Sequence, residues 1–219
     1  ALFASGMAAA TAVFQALAPG DHVLAPKVMY WSLRNWLMNF ATQWGLNVEL
    51  IDMTDPLAVQ AAIRPGKTRL VWVETPANPL WSITDIAATA AICRAAGARL
   101  AVDSTVATPV LTQPLLLGAD IVMHAATKYL NGHSDLIAGV LVTRADDEFW
   151  RRIKTIRAQL GGTLGSFEAW LLLRGMRTLF QSEVKICCGR LSSRTCARDT
   201  FTSRLSIYQR TESRRQSNA

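Results

Sequence analysis

Up to about residue 180 the chain alternates short apolar or β-branched runs with stretches whose apolar positions recur every three or four residues. The first pattern belongs to strands and the second to amphipathic helices. The spacing predicts helices over residues 5–17, opening on Ser-Gly, and over 31–44, 56–63, 84–96, 146–160 and 166–179. It predicts strands over residues 22–25, 48–51, 70–74, 99–103, 121–124 and 138–142. Such alternation builds an α/β sheet that is mostly parallel, with helices on both faces. Ligands of these sheets gather beyond the carboxyl ends of the strands. Glu74 ends one predicted strand, Asp103 ends another, and Lys128 follows a third by a few residues.

Composition sharpens this picture at the edges. With 219 residues, half of them hydrophobic, the chain can bury the core of one domain, or of one domain and part of a second. Apolar runs such as residues 70–73 and 115–117 fall far short of the roughly 20 residues that span a bilayer. No basic stretch precedes an apolar one at the start of the sequence, as a secretory leader would require. Cys93 stands alone, Cys187 and Cys188 are adjacent, and Cys196 follows. That spacing fits neither a disulfide framework nor a zinc site, so the expectation is a cytoplasmic protein without a bound metal and without a membrane partner.

The net charge of +7 is unevenly placed. Residues 181–219 hold eight Lys/Arg against three Asp/Glu, leaving fifteen against thirteen for residues 1–180. The same 39 residues contain eleven Ser/Thr, three of the four cysteines and none of the seven tryptophans. Hydrophobic order stops abruptly after Phe180. We expect one ligand-binding domain over 1–180, starting inside an element, and over 181–219 an aberrant Ser- and Arg-rich tail from a slipped reading frame or a disordered segment. A nucleic-acid-binding role for the tail finds little support, because Phe201 and Tyr208 are too few aromatics for a stacking platform.

Four stretches carry candidate chemistry. In "ASGMAAATAVFQAL" the Ser-Gly pair opens a helix whose first N–H groups, with the helix dipole, form a phosphate site, and Gly6 lets the backbone come close. In "VWVETPANPL" the prolines Pro76 and Pro79 stiffen a turn from which Asn78 can present its amide. In "RLAVDSTVATP" Asp103 ends an apolar strand, where a carboxylate calls for a cation such as a protonated heteroaromatic nitrogen. In "MHAATKYLNGHSD" Lys128 is one of only four lysines in residues 1–180. A lysine partly desolvated beyond a strand supplies a neutral amine that attacks a carbonyl. Taken singly, the first, second and fourth read first as an ordinary helix cap, a turn asparagine and a surface lysine, and Asp103 is equally a structural cap. A nicotinamide-dependent dehydrogenase is the natural rival, but no G-x-G-x-x-G occurs, and "GGTLG" at residues 161–165 has the wrong spacing.

In order, "SGMAA", "ETPANP", "VDSTVATP" and "ATKYLNGHSD" resemble the pyridoxal-phosphate enzymes of cysteine and methionine metabolism, the transsulfuration family of cystathionine gamma-synthase and the cystathionine lyases. The resemblance covers about residues 1–180. It implies the large domain of a type I, aminotransferase-like fold and pyridoxal 5'-phosphate as cofactor. It further implies a sulfur amino acid as the small-molecule substrate, C–S bond chemistry, and a homo-oligomer that is usually tetrameric, with no nucleic acid involved. By the same likeness Lys128 binds the cofactor covalently and shuttles protons, and Asp103 pairs with the pyridine nitrogen. Tyr30, in "VMYWSLRNW", stacks on the ring and belongs with the catalytic set. Gly6 and Met7 bind the phosphate through amides, Thr127 adds a hydroxyl, Asn78 lies near the phenolic oxygen, and Thr105 completes the cofactor set.

The chain also departs from that family pattern. Ala125 stands where the family usually has Ser, Ser104 where Asn is frequent, and "WSLRNW" lacks the glycines common in the gamma-synthase branch. The segments expected to reach a neighbouring subunit's phosphate and to grip the substrate carboxylate are not found. The alternative to an active enzyme is an inactive truncated remnant that at most binds the cofactor.

Overall fold

The structure, a computed structural model, describes residues 1–181. Apart from Gln181, the expectation for the tail lies outside the described residues. Among the described residues there are seven strands: β1 (Leu2–Phe3), β2 (His22–Pro26), β3 (Asn47–Ile51), β4 (Thr68–Glu74), β5 (Arg99–Asp103), β6 (Ile121–His124) and β7 (Gly139–Thr143). The α-helices are α1 (Gly6–Gln15), α2 (Trp31–Trp36), α3 (Pro56–Ala62), α4 (Ile86–Ala96), α5 (Thr108–Leu111), α6 (Glu148–Gln159) and α7 (Ser166–Met176).

The strands form a sheet of order β1-β7-β6-β5-β4-β2-β3. Strands β3, β2, β4, β5 and β6 pair in parallel, whereas β7 runs antiparallel to both β6 and β1. The mostly parallel α/β architecture is the one expected. Alternate residues of the central strands point to opposite faces. Val23, Ala25, Leu70, Trp72 and Ala101 pack with α1, α2 and α6 through Phe14, Leu33 and Ile153. Leu24, Val71, Val73, Leu100 and Val102 pack with α3 and α4 through Val59, Ile86 and Cys93. Burial on both faces explains why these strands read as nearly unbroken apolar runs. Each fully buried Leu, Val or Phe contributes roughly 1.5–3 kcal/mol.

Helix starts follow local chemistry. The side chains of Ser5, Asp55, Asp85 and Asp147 accept hydrogen bonds from the amides of Ala8, Leu57, Ala88 and Trp150. Each cap is worth about 1 kcal/mol. Asp85 moves the start of α4 two residues beyond the predicted one. The predicted helix over 31–44 is instead α2 followed by a π-helical turn at Leu37–Ala41. Thr42 Oγ1 donates to the Met38 carbonyl at 2.6 Å, and the Thr42 amide bonds Leu37 instead. Strand β1 and helix α5 were not anticipated, being too short to show a period.

A third apolar cluster lies apart from the two sheet faces. Leu171, Leu172 and Leu179, from α7 and just beyond it, pack on Ala126, Leu130, Leu136 and Ala138. These four belong to the connection between β6 and β7, so α7 fixes the segment that carries Lys128. Gly175 permits the closest approach: a Cβ there would lie 2.3 Å from the Asn131 carbonyl oxygen.

Candidate active site

At the carboxyl ends of the parallel strands lies a cavity of about 1500 Å³. Every predicted site residue is on its wall: Gly6, Met7, Tyr30, Asn78, Asp103, Thr105, Thr127 and Lys128. They come from five separate stretches of chain and meet only in the folded molecule.

One end of the cavity is the start of α1. Ser5 Oγ accepts from the Ala8 amide at 3.0 Å. Gly6 and Met7, in the turn where helix N–H groups lack intrahelical acceptors, line the cavity. Gly6 is needed for close approach, since a Cβ there would sit 2.9 Å from Ala125 Cβ and 3.2 Å from Met123 Cε.

The floor is acidic. Asp103 ends β5 and Glu74 ends β4, and the two are register partners in neighbouring strands. Asp103 Oδ1 accepts from Thr105 twice, from its amide at 3.0 Å and its hydroxyl at 2.5 Å. The Thr105 hydroxyl in turn accepts from the Ala125 amide at 2.8 Å. This chain orients Asp103 and leaves Oδ2 without a hydrogen bond among the described residues. Burial pushes the Asp103 carboxyl up to about 6. Burial, and then the Asp103 charge, push Glu74 up to about 8. Among the described residues neither has an ion-pair partner, so the floor is short of a cation.

Lys128, in the connection from β6 to β7, lines the same cavity. Its amide donates to the Ala125 carbonyl at 3.0 Å, and its own carbonyl accepts from Gly132 at 2.8 Å. Asn131 Nδ2 donates to Asp135 Oδ1 at 2.9 Å, and Arg174 of α7 pairs with the other Asp135 oxygen. Lys128 itself is exposed, so the described residues do not supply the desolvation expected for it. Thr127 Oγ1 donates to the Ala138 carbonyl at 3.2 Å and accepts from the Ala138 amide at 3.0 Å. Its one proton is therefore committed to holding the Lys128 segment.

Tyr30 and Asn78 form the mouth, both with exposed side chains. Tyr30 stands at the N-cap of α2. Asn78 lies in a turn that contains two cis peptides, Thr75–Pro76 and Asn78–Pro79, and is closed by the Ala77 amide on the Ser82 carbonyl at 2.9 Å. Both backbones are held by Glu74, which the sequence marks as one of three polar residues at or just past strand ends without giving it a role. The signal available was the parallel between "VWVE" and "LAVD", two apolar runs ending in a carboxylate.

Fold and cavity together define an α/β ligand-binding domain with its site at the strand ends. Comparison with known proteins narrows this. Residues 1–182 match the model of the Cys/Met metabolism PLP-dependent enzyme family. A probable cystathionine gamma-synthase of Herpetosiphon aurantiacus is 42% identical over 178 residues, spanning 81% of this chain and 55% of that protein. A cystathionine gamma-lyase of Bacillus subtilis is 43% identical over 177 residues, 81% of this chain and 46% of that protein. The crystal structure of metB from Corynebacterium glutamicum superposes with a TM-score of 0.79 at 37% identity, covering 88% of this chain and 52% of that one. The chain belongs to the Cys/Met metabolism family of PLP-dependent enzymes. It spans about half the length of the curated relatives it matches.

The family's cofactor, pyridoxal phosphate, carries an aldehyde, a phosphate and a basic ring nitrogen. The cavity offers an amine, helix N-terminal N–H groups and an unbonded carboxylate oxygen. This donor set fits the group. Among the described residues no three His, Cys, Asp or Glu side chains converge as metal ligands, and no helix is long and apolar enough to cross a membrane.

Proposed function

We propose that residues 1–180 are the cofactor-binding large domain of a transsulfuration enzyme acting on C–S bonds of sulfur amino acids, by gamma-replacement or by beta- or gamma-elimination. The observation that carries this reading is the meeting of all eight predicted residues on one cavity wall. Bound pyridoxal phosphate supplies an electron sink for a carbanion at the substrate's α-carbon. Lys128 would hold that cofactor through its Nζ and, when free, would move protons at the substrate's α-carbon and its neighbours. Asp103, oriented by Thr105, would pair with the cofactor's basic nitrogen. Tyr30 and Asn78 would flank the ring, and the Gly6 and Met7 amides would take the phosphate with Thr127 beside them.

The setting follows the same reading. We infer a cytoplasmic protein from the cysteine spacing, and a homo-oligomer, tetrameric as in the family, from exposed large apolar side chains such as Trp31, Phe40 and Trp170. The test is direct. The chain mixed with pyridoxal phosphate should gain the visible absorption of a lysine-bound cofactor, and Lys128→Ala should lack it. Equal spectra for the two proteins would remove Lys128 from its role, and no absorption in either would favour the inactive remnant.

A further inference from the structure

Glu74 is nearly inaccessible, with 6% of its surface exposed. Each of its oxygens accepts one backbone N–H. Oε2 takes the Tyr30 amide at 2.7 Å and Oε1 takes the Asn78 amide at 2.8 Å. These amides belong to two loops, one entering α2 and one leaving β4, and they carry the two side chains at the cavity mouth. A buried carboxylate is costly without a cation or donors, and among the described residues this one has donors alone. One side chain therefore ties both loops to the strand next to Asp103.

We propose that Glu74 is a positioning residue that sets Tyr30 and Asn78 about the cofactor ring, and that its grip tightens when a protonated ring nitrogen neutralises Asp103 beside it. The proposal rests on the cofactor reading above. A neutralised Asp103 removes the like charge that opposes ionisation of Glu74, and an ionised carboxyl accepts N–H bonds more strongly than a neutral one. In the free chain burial and the Asp103 charge push Glu74 up to about 8, so at neutral pH cofactor binding releases its proton to solvent. The titratable groups sharing its two cavities are Tyr30, Asp103, Lys128, Tyr129, Asp135 and Glu168 in one and Lys27, Asp52 and Asp85 in the other. Lys27 and Lys128 act in the same direction as the ring nitrogen, and Asp52, Asp85, Asp135 and Glu168 oppose it.

Two measurements on the whole chain test this. The first is pyridoxal-phosphate affinity, titrated by visible absorption at pH 6.5 and pH 8. Glu74→Gln keeps the shape of the side chain but turns one acceptor into a donor. It should bind about tenfold more weakly than the unmodified chain at pH 8, the worth of one charge-assisted hydrogen bond. It should also lose the part of the pH dependence that Glu74 supplies. The second is amide hydrogen exchange. In Glu74→Gln the Tyr30 and Asn78 amides should exchange at least about tenfold faster, while Val73 and Val102 in the strands stay as they were. A general loss of stability would speed all four.

Equal affinity and equal pH dependence in the two proteins would overturn the role of Glu74 and leave the cofactor reading intact. Unprotected Tyr30 and Asn78 amides in the folded, unmodified chain would overturn it too, even if Glu74→Gln does not fold. No lysine-bound absorption in the unmodified chain would remove the cofactor reading and this proposal with it.

Discussion

Asp103 and Glu74 reach the cavity from the ends of two hydrogen-bonded parallel strands, whereas Lys128 reaches it from a connection outside any strand. The carboxyls are buried and, through Thr105, Tyr30 and Asn78, bonded in place before any ligand arrives. The lysine is exposed, and its backbone is held from outside by α7. The acidic floor inherits its geometry from the sheet, which cannot shift by one residue without turning every apolar side chain to the wrong face. The amine inherits its position from a helix packed on a loop, a weaker constraint. The site thus has its rigid part on the strands and its exposed amine on the loop.

That contrast can be broken on the loop side with the largest effect. Gly175→Ala forces a Cβ against the Asn131 carbonyl, and we expect a loss of about 2–3 kcal/mol in a denaturant midpoint, within the range of overpacking costs. Pyridoxal-phosphate capture should fall with it, while the Tyr30 and Asn78 amides keep their protection. If those amides lose protection equally, the two walls are not independent.

On the strand side the handle is pH. The folded Glu74 carboxyl is raised from 4.5 to about 8, so the folded chain holds a proton that the unfolded chain has already lost. Stability from this group is complete below 4.5 and declines as pH rises through about 8. Between pH 6.5 and 8 the decline should amount to about 1–2 kcal/mol. His124, whose ring burial lowers to about 4, gains stability as pH rises, mostly below this window. The quantity to compare is the slope in the unmodified chain and in Glu74→Gln. Identical slopes would mean that Glu74 is ionised in the folded apo chain.

The smallest effect belongs to a region that touches neither wall. Arg64 and Glu49 form an ion pair at 2.8 Å with both side chains more than a third exposed. Arg64→Ala should change stability by no more than about 0.5 kcal/mol and leave cofactor absorption unchanged. A larger loss of absorption would show coupling between this edge of the sheet and the cavity.

Much of this was legible before folding. The unbroken apolar runs of β4, β5 and β6 gave parallel strands, because only strands covered on both faces need no polar side. Each run ended close to a residue of the candidate site, and the wall of the cavity contains all of the residues the sequence pointed to. The exposure of Lys128 was not legible, since desolvation depends on neighbours far away in sequence. Nor was the bond of Thr127 to Ala138, formed across the β6–β7 connection. The π turn after α2 escaped because it rests on one residue, Thr42, whose hydroxyl takes the Met38 carbonyl while its amide takes that of Leu37.

By itself the sequence determined the strands other than β1 and, to within two residues, the starts of the helices other than α5, because apolar period and capping side chains act over a few residues. It also determined which polar side chains stand at strand ends. Only the tertiary structure decided that Glu74 and Asp103 lie side by side, that Glu74 holds two loops at once, and that α7 carries the weight of the lysine segment. Those facts depend on strand order and on contacts between residues tens of positions apart, and no local pattern encodes a distance of that kind.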